Sequence, residues 1–360
     1  MYYHVNGRIL KANLMTDLIA AAMDAVSRRL AGPTGLATAL LLLSIFASAV
    51  IVFLRSGEPR TLSGFLHFML PIEVLAHASA RADFSFWISR KLVMLLAAVP
   101  AGATITIACG YASHATLAAV FGDAGPISAR QTVPAAVLFT ITMLLAYDIS
   151  YYLYHNLQHR IPVLWELHKV HHSAEVMVGT TKDRIHPIDD VMNRVWDGLI
   201  TGPVYGLWLF FAFDPVEITI LGINVYVLRN IIMMDFVRHT HLRISFGRLM
   251  NKIILCPHYH QLHHSTNPKH FDKNFGLMLS IWDKMFGTLH VPEPNESFSF
   301  GLGSEGEEYQ STYGLYVLPL RKISRLLGLE RADAPPQAAA PARFGAAQLG
   351  IPSRHKDHVA

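Results

Sequence analysis

Twenty histidines are spread through the 360 residues of this chain, and eight of them fall into three short clusters. These eight are His155, His159, His168, His171, His172, His260, His263 and His264. On an α-helix, residues three and four apart share one face, so each cluster directs its imidazoles toward one side. Imidazole is a common ligand of transition metals. The spacing therefore predicts a metal site built from these side chains.

The number and kind of ligands bear on which metal is bound. Eight imidazoles supply most of the roughly eight to twelve ligand positions that two divalent ions need. The HExxH pattern of zinc proteases is absent. A closed structural zinc site uses four ligands, often thiolates, and neither Cys109 nor Cys256 belongs to a CxxC pair. The pattern thus favours two iron ions over zinc.

Other residues near the clusters are candidates for the same site. His239 is predicted as a ninth ligand, and His186 as a ligand or a residue that hydrogen-bonds a ligand. Asp148 lies two helical turns before His155, and we predict that it holds a ligand imidazole by a hydrogen bond. Three further histidines are predicted to be structural: His258, His270 and His290.

The elements that position these residues are predicted to cross a membrane. Hydrophobic residues make up 52% of the chain and charged residues only 16%. Charge-free runs at 31–54 and 131–147 each match the hydrocarbon thickness of a bilayer, and the second leads directly to His155. The run at 92–122 exceeds one upright helix. It is either one kinked span or two short ones, with Pro100 and Gly102 as kink points.

Two short apolar runs, 199–213 and 218–228, are predicted to form a hairpin that dips into the bilayer and continues through 231–234. Basic residues concentrate in the histidine-bearing segments 148–197 and 229–291, so we place those segments on the cytoplasmic side. The orientation of the N-terminus stays open. The net charge of +4 is modest and no basic block is present, so nucleic-acid binding is not expected.

Four regions are predicted from these patterns. Residues 1–132 form an N-terminal membrane anchor region with one to three spans, and 133–292 form the domain that carries the metal site. Residues 293–333 form a C-terminal cap segment. Residues 334–360, which are rich in alanine and proline, form a disordered tail.

The ordered set of clusters and their flanks resembles the fatty acid hydroxylase/sterol desaturase superfamily of membrane di-iron enzymes. The resemblance runs from about 133 to 292 and is specific for the superfamily, not for one reaction. Its motifs are Asp148…His155-x3-His159, Pro162-x2-Trp165-x2-His168-x2-His171-His172-Ser173, Arg238-His239, Pro257-x2-His260-x2-His263-His264-Ser265, Asn274-Phe-Gly276 and Trp282-Asp283-x2-Phe286-Gly-Thr288. Asn156 and His241 depart from the residues that members often carry.

The resemblance implies an all-α fold of polytopic membrane helices with a cytosolic helical cap. It implies two non-haem iron ions, held by the eight clustered histidines and His239, with dioxygen as co-substrate. The expected reaction is hydroxylation of a C–H bond in a membrane lipid. Electrons are expected from a separate ferredoxin- or cytochrome-type donor, because the chain has no flavin or haem motif. Three alternatives stay open: a lipid desaturase with the same site, a dizinc membrane hydrolase, and a metal transporter.

Overall fold

Helices dominate the computed structural model, which describes residues 33–122, 133–211 and 237–329, except 248, 293–295 and 297, together with four short strands. The strands are β1 (Tyr2–Val5), β2 (Arg8–Lys11), β3 (Thr219–Ile220) and β4 (Ile223–Asn224). β1 pairs antiparallel with β2, and β3 with β4. Because the strands are only two to four residues long and the other described elements are helical, the predicted all-α class is confirmed.

Ten α-helices occur in the described part of the chain. They are α1 (Pro33–Arg55), α2 (Leu62–Met69), α3 (Ile72–Leu75), α4 (Ala78–Phe121), α5 (Val133–Arg160), α6 (Pro162–His172), α7 (Pro187–Phe211), α8 (Pro257–His263), α9 (Ile281–Met285) and α10 (Thr312–Leu326). Short 3₁₀ segments lie at Thr181–Asp183, Met250–Lys252, Pro268–His270 and Gly303–Tyr309.

Three helical stretches are long and apolar enough to cross a membrane: Gly35–Arg55, Thr104–Phe121 and Val133–Arg160. The first and third coincide with the runs predicted as spans. The run at 92–122 lies within α4, a single helix of 44 residues, and not in two short ones. At 1.5 Å per residue α4 is about 66 Å long, roughly twice the bilayer core, so its N-terminal half extends beyond the bilayer.

The predicted hairpin differs from the structure where it can be compared. Residues 199–211 continue α7, which begins at Pro187 in a polar turn. Residues 219–220 and 223–224 pair as strands instead of continuing an apolar span. The rest of that hairpin lies outside the described residues, as do most of the N-terminal 32 residues and the predicted tail at 334–360.

Glycines let α4 and α7 approach closely along the bilayer segment. Gly198, Gly202 and Gly206 repeat every four residues and so form one stripe along α7. A Cβ atom on Gly202 would lie 2.9 Å from the carbonyl oxygen of Thr106, and one on Gly206 would meet the carbonyl oxygen of Gly110. Small residues at this spacing are typical of packed membrane helices. This contact fixes α7, and with it the polar turn that begins at Pro187.

The C-terminal helix α10 packs on the polar half of α4 and on α6. Phe86, Val170, Tyr309 and Leu315 form a common buried cluster. At its edge the hydroxyl groups of Ser85 and Thr312 lie 2.6 Å apart. α10 therefore supports α6, the helix that carries His168, His171 and His172. The extent of a separate cap segment at 293–333 stays a prediction.

Candidate metal centre

Nine histidines converge into two buried groups. Cluster A is His155, His159, His168, His172 and His263. Cluster B is His171, His239, His260 and His264. Within each group, one candidate ligand atom per residue lies within 4.8 Å of every other. The set is the eight clustered histidines and His239, and the structure brings all nine together.

Four elements deliver these side chains. His155 and His159 lie one turn apart near the end of α5, where the helix continues beyond its apolar stretch. α6 follows directly, begins with Pro162 at its first turn, and carries three histidines in its last turns. α8 and its C-cap residue His264 carry three more. His239 comes from the segment that precedes α8.

The nitrogen spacing fits ligands that share an ion. In cluster B the Nε2 atom of His239 lies 3.1 Å from Nε2 of His171 and 3.0 Å from Nε2 of His260. In cluster A the Nε2 atoms of His159 and His172 are 3.2 Å apart. Two imidazole nitrogens bound to one ion at about 2.1 Å, at octahedral or tetrahedral angles, lie about 3.0–3.4 Å from each other. Both groups therefore have the dimensions of a metal site.

The two clusters are in contact. The rings of His172 and His264, one from each cluster, stack with centroids 4.4 Å apart. The rings of His168 and His171 are 5.4 Å apart. This arrangement places two ion-sized sites side by side, which is the geometry that a dinuclear centre requires.

Many of the imidazole nitrogens are buried and have no hydrogen-bond partner among the described residues. In cluster B the unpartnered atoms are Nδ1 of His171, His239, His260 and His264, and in cluster A they include Nε2 of His155, His168 and His263. A buried polar atom left unpaired costs free energy, and native proteins rarely carry so many in one place. The donor set and the unpaired Nε2 atoms of cluster A fit bound metal. In cluster B the ligand atoms would be the Nε2 atoms, whose neighbours lie 3.0–3.3 Å apart.

Burial keeps these imidazoles in the neutral form that binds metal. Desolvation lowers the pKa of His171 to about 3, with smaller effects from nearby charged groups. The pKa values of His168, His172, His239, His260, His263 and His264 are lowered well below the usual value, first by burial and then by neighbouring histidines. Metal binding by these residues therefore needs no deprotonation at neutral pH.

Oxygen atoms lie behind four of the five histidines of cluster A. Nδ1 of His155 is 2.8 Å from the carbonyl oxygen of Phe275, and Nδ1 of His263 is 2.7 Å from that of Lys273. Carboxylate oxygens lie 3.5 Å from Nδ1 of His159 and 3.6 Å from Nδ1 of His168; they belong to Asp272 and Asp189, respectively. The partners of His155, His263 and His159 hold the proton on Nδ1 and leave Nε2 as the metal-binding atom. The Asp189 carboxylate faces His168 just beyond hydrogen-bond distance.

One tight loop, 272–275, supplies three of these four oxygens. Its shape depends on Asp272 and Asn274, which both adopt left-handed backbone conformations with φ near 57°. The Asn274 amide donates to the carbonyl oxygens of Tyr259 (3.1 Å) and His290 (3.0 Å). The Asp283 carboxylate accepts the backbone N–H of Phe275 at 2.8 Å. Asn274 and Asp283 thus fix the loop that orients cluster A.

The structure gives Asp148 and His186 other partners than those predicted. The Asp148 carboxylate accepts the N–H groups of Met278 and Leu279 and, at 2.7 Å, the indole N–H of Trp282. It therefore fastens the segment that follows the loop to α5, and holds no imidazole directly. His186 uses Nε2 at 3.1 Å from the carbonyl oxygen of Tyr316 and Nδ1 to accept the N–H of Ile188. His186 lies outside both clusters.

Sequence reasoning missed the role of Arg184, which is buried at the end of α6. Its guanidinium donates to the carbonyl oxygen of Val170 at 3.0 Å and to that of Ser173 at 3.3 Å, on either side of His171 and His172. It also donates to the Asp83 carboxylate at 2.6 Å. A buried cation at the C-terminal end of a helix donates hydrogen bonds to the carbonyl groups that the last turn of the helix leaves unpaired. The only sequence signal for this role was a single arginine two residues before His186-Pro187, and that signal is weak.

Comparison with known proteins agrees with this geometry. Residues 140–288, which contain all nine histidines, match the model of the fatty acid hydroxylase family. This chain is therefore similar to the fatty acid hydroxylase family over its histidine-bearing region, which confirms the resemblance seen in the sequence motifs. It is 31% identical to an alkylglycerol monooxygenase of Danio rerio over 152 residues, which are 42% of this chain and 30% of the relative. No solved structure gives a significant match.

Two further relatives are lipid hydroxylases by name. An ornithine lipid hydroxylase, OlsE, of Rhizobium tropici is 27% identical over 47% of this chain and 46% of its own length. The human cholesterol 25-hydroxylase is 26% identical over 41% of this chain and 50% of its own length. The chain therefore spans between about a third and a half of the length of these relatives.

Proposed function

We propose that this chain is a membrane-bound, dioxygen-dependent di-iron monooxygenase that hydroxylates a C–H bond of a lipid. The observation that carries the proposal is the arrangement of nine histidines, eight of them buried, as two adjacent ion-sized clusters at the end of a helix long enough to cross a bilayer. The match to the fatty acid hydroxylase family supports iron as the metal. The three relatives, whose names include hydroxylase or monooxygenase activity on lipids, support the reaction and the substrate class.

In this mechanism the protein binds the metal ions, orients the imidazoles that hold them and shields the site from bulk water. Two bound iron ions would supply the redox chemistry that activates dioxygen and replaces a C–H bond with C–OH. Cluster A would hold one ion and cluster B the other. Asp272 and two carbonyl groups of the 272–275 loop keep the protons of His159, His155 and His263 on Nδ1. Asp189 sets a carboxylate opposite His168. Burial of both clusters excludes bulk water, which strengthens every polar contact inside the site.

The balance of the reaction requires a partner. One dioxygen, one lipid C–H, two electrons and two protons give one alcohol and one water. The lipid supplies two electrons, and the other two must come from outside, so we propose a ferredoxin- or cytochrome-type donor. The distribution of basic residues supports a multi-pass protein whose site faces the cytoplasm. A lipid substrate would then approach the site from the cytoplasmic leaflet.

Comparative lipid mass spectrometry tests the proposal directly. Cells that express the chain in air are compared with cells that express His171→Ala, a cluster B variant. We expect a lipid species 16 mass units heavier only with the wild-type chain, and its loss under anaerobic conditions. The same heavier species from the His171→Ala chain would contradict the assignment of the site.

The remaining alternatives give different products. A lipid species two mass units lighter would indicate that the site catalyses desaturation and not hydroxylation. Both reactions begin with the removal of hydrogen, so the same site could serve either. Conversion that continues without dioxygen, by protein that contains zinc, would support a dizinc hydrolase and overturn the proposal.

A further inference from the structure

Six large apolar side chains are exposed on two short segments close to the metal centre in sequence, 249–253 and 281–286. They are Leu249, Met250, Ile253, Ile281, Met285 and Phe286, and we refer to them as the cap patch. Soluble surfaces rarely group so many exposed apolar residues unless they contact a partner or a membrane. The exposed fraction reaches 78% at Leu249 and 65% at Met285, so no described part of the chain covers them.

Backbone hydrogen bonds join the two segments into one surface. The N–H of Ser280 donates to the carbonyl oxygen of Ile253 at 2.9 Å. The N–H of Leu255 donates to the carbonyl oxygen of Met278, also at 2.9 Å. The two segments therefore hold a fixed relative position, although 28 residues separate Ile253 from Ile281 in the sequence.

The cap patch is fastened to α5 where the apolar stretch of that helix ends. Asp148, the first charged residue after the 131–147 run, accepts hydrogen bonds from Met278, Leu279 and Trp282. One turn later the ring of Phe286 stacks on that of Tyr152, with centroids 5.2 Å apart. The segment that carries half of the patch thus lies against two consecutive turns of α5.

The same face of α5 is exposed on the bilayer side of Asp148. Leu138, Ile141 and Leu145 are all exposed, and together with Asp148 they follow a spacing of three, four and three residues. That spacing puts them in one stripe along the helix. The stripe that faces lipid therefore runs directly up to the cap patch.

The charges beside the patch match the surface of a membrane. Lys252 and Lys284 are both exposed and lie within the two segments. The acidic residue next to Lys284 in sequence, Asp283, is buried and accepts hydrogen bonds from Thr288 and from the backbone. Apolar side chains flanked by lysines are typical of segments that lie in the interface of an anionic leaflet.

We propose that the cap patch inserts into the boundary between headgroups and acyl chains of the bilayer that α5 crosses, with Lys252 and Lys284 on anionic headgroups. Asp148 then lies at the bilayer surface. His155, seven residues further along α5, lies about 10 Å above it. The inference depends on the chain being a membrane protein and not on the reaction, so it can fail while the proposed function holds.

Depth-dependent quenching tests this placement in the full chain. Ile253→Cys and Met285→Cys are labelled with a small fluorophore and reconstituted in nanodiscs that contain phosphatidylglycerol and phosphatidylcholine, with labelled wild-type chain as the background for Cys109 and Cys256. The matched control is Tyr313→Cys, an exposed position on α10 beside Thr312, which contacts Ser85. Quenching by nitroxide lipids is compared with quenching by iodide in water.

We expect nitroxide lipids to remove most of the fluorescence at 253 and 285 and little at 313, with the opposite order for iodide. Equal quenching by iodide at all three positions would overturn the proposal. Protection from both quenchers would also overturn it, because a second copy of the chain or another protein would then cover the patch. The double variant Lys252→Glu/Lys284→Glu should lose lipid quenching only in anionic discs; no change would overturn the headgroup assignment.

Discussion

The carboxylate of Asp189 faces His168, with Oδ2 3.6 Å from the Nδ1 atom of the imidazole. The other oxygen of Asp189 accepts hydrogen bonds from the Tyr154 hydroxyl at 3.0 Å and from the Gln158 amide at 2.7 Å. Asp189 belongs to the first turn of α7, and both donors belong to α5. One buried acid thus connects two helices to a candidate ligand on a third.

Asp189→Asn is expected to weaken metal binding at cluster A by about 10- to 100-fold, the usual effect of removing a group that orients a metal-bound histidine. Cluster B should keep its metal, because Asp189 contacts none of its four histidines. Metal titration of the purified variant measures both sites separately.

Asp190→Asn is the matched control for that experiment. Asp190 lies in the same turn, but its carboxylate pairs with Arg90 and Arg194. We expect this variant to lose some thermal stability and to retain both metals. Equal metal loss in the two variants would mean that Asp189 acts through the fold and not through His168.

Arg184→Met is expected to destabilise the fold strongly. The variant leaves the buried Asp83 carboxylate without its cation and the end of α6 without donors. Removing one partner of a buried ion pair costs about 3–5 kcal/mol. Thermal unfolding in detergent should show a large decrease in melting temperature.

Arg194→Met provides the comparison, because Arg194 is 42% exposed in its pair with Asp190. An exposed pair contributes less than about 1 kcal/mol, so this variant should unfold close to the wild-type temperature. Similar losses in the Arg184 and Arg194 variants would show that the Arg184 contacts do not hold α6 in place.

The metal-free protein should lose stability as the pH falls below about 6.5, the usual pKa of histidine. The pKa of His171 is lowered to about 3 in the folded state because the residue is buried, and the other cluster histidines on α6 and α8 are shifted in the same direction. The unfolded chain therefore binds more protons than the folded chain between pH 3 and 6.5. Acid then favours unfolding.

Thermal unfolding of chelator-treated protein between pH 7.5 and 5 checks this expectation. The melting temperature should fall steadily with pH and fall less in protein that retains its metals. A metal-free melting temperature that is constant or rises toward pH 5 would contradict neutral, buried imidazoles.

Helical periodicity explains why eight of the nine histidines could be selected from sequence but not assigned to clusters. His171 and His172 are neighbours in sequence, yet they belong to clusters B and A respectively. Adjacent residues on a helix point about 100° apart, so one helix can serve two ions. His168 and His172, four residues apart, share cluster A for the same reason.

The supporting contacts depend on tertiary structure and could not be read from local spacing. Asp148 is 130 residues from Met278, and the loop at 272–275 reaches α5 only after the chain has folded back. A carboxylate two turns from a histidine is compatible with a hydrogen bond to that histidine or to a distant backbone group. The motif Asp272-Lys-Asn-Phe-Gly276 was the available signal for the loop, because Asp and Asn tolerate left-handed turns.

Metal analysis of the purified chain and of one variant per cluster is the most direct test of the central claim. His172→Ala removes a residue of cluster A, and His239→Ala removes one of cluster B. His186→Ala, whose nitrogens both have partners elsewhere, is the control. We expect two iron ions per wild-type chain and per control chain, and about one in each cluster variant. One ion or none in the wild-type chain, or two in both cluster variants, would contradict the claim that each cluster holds one ion.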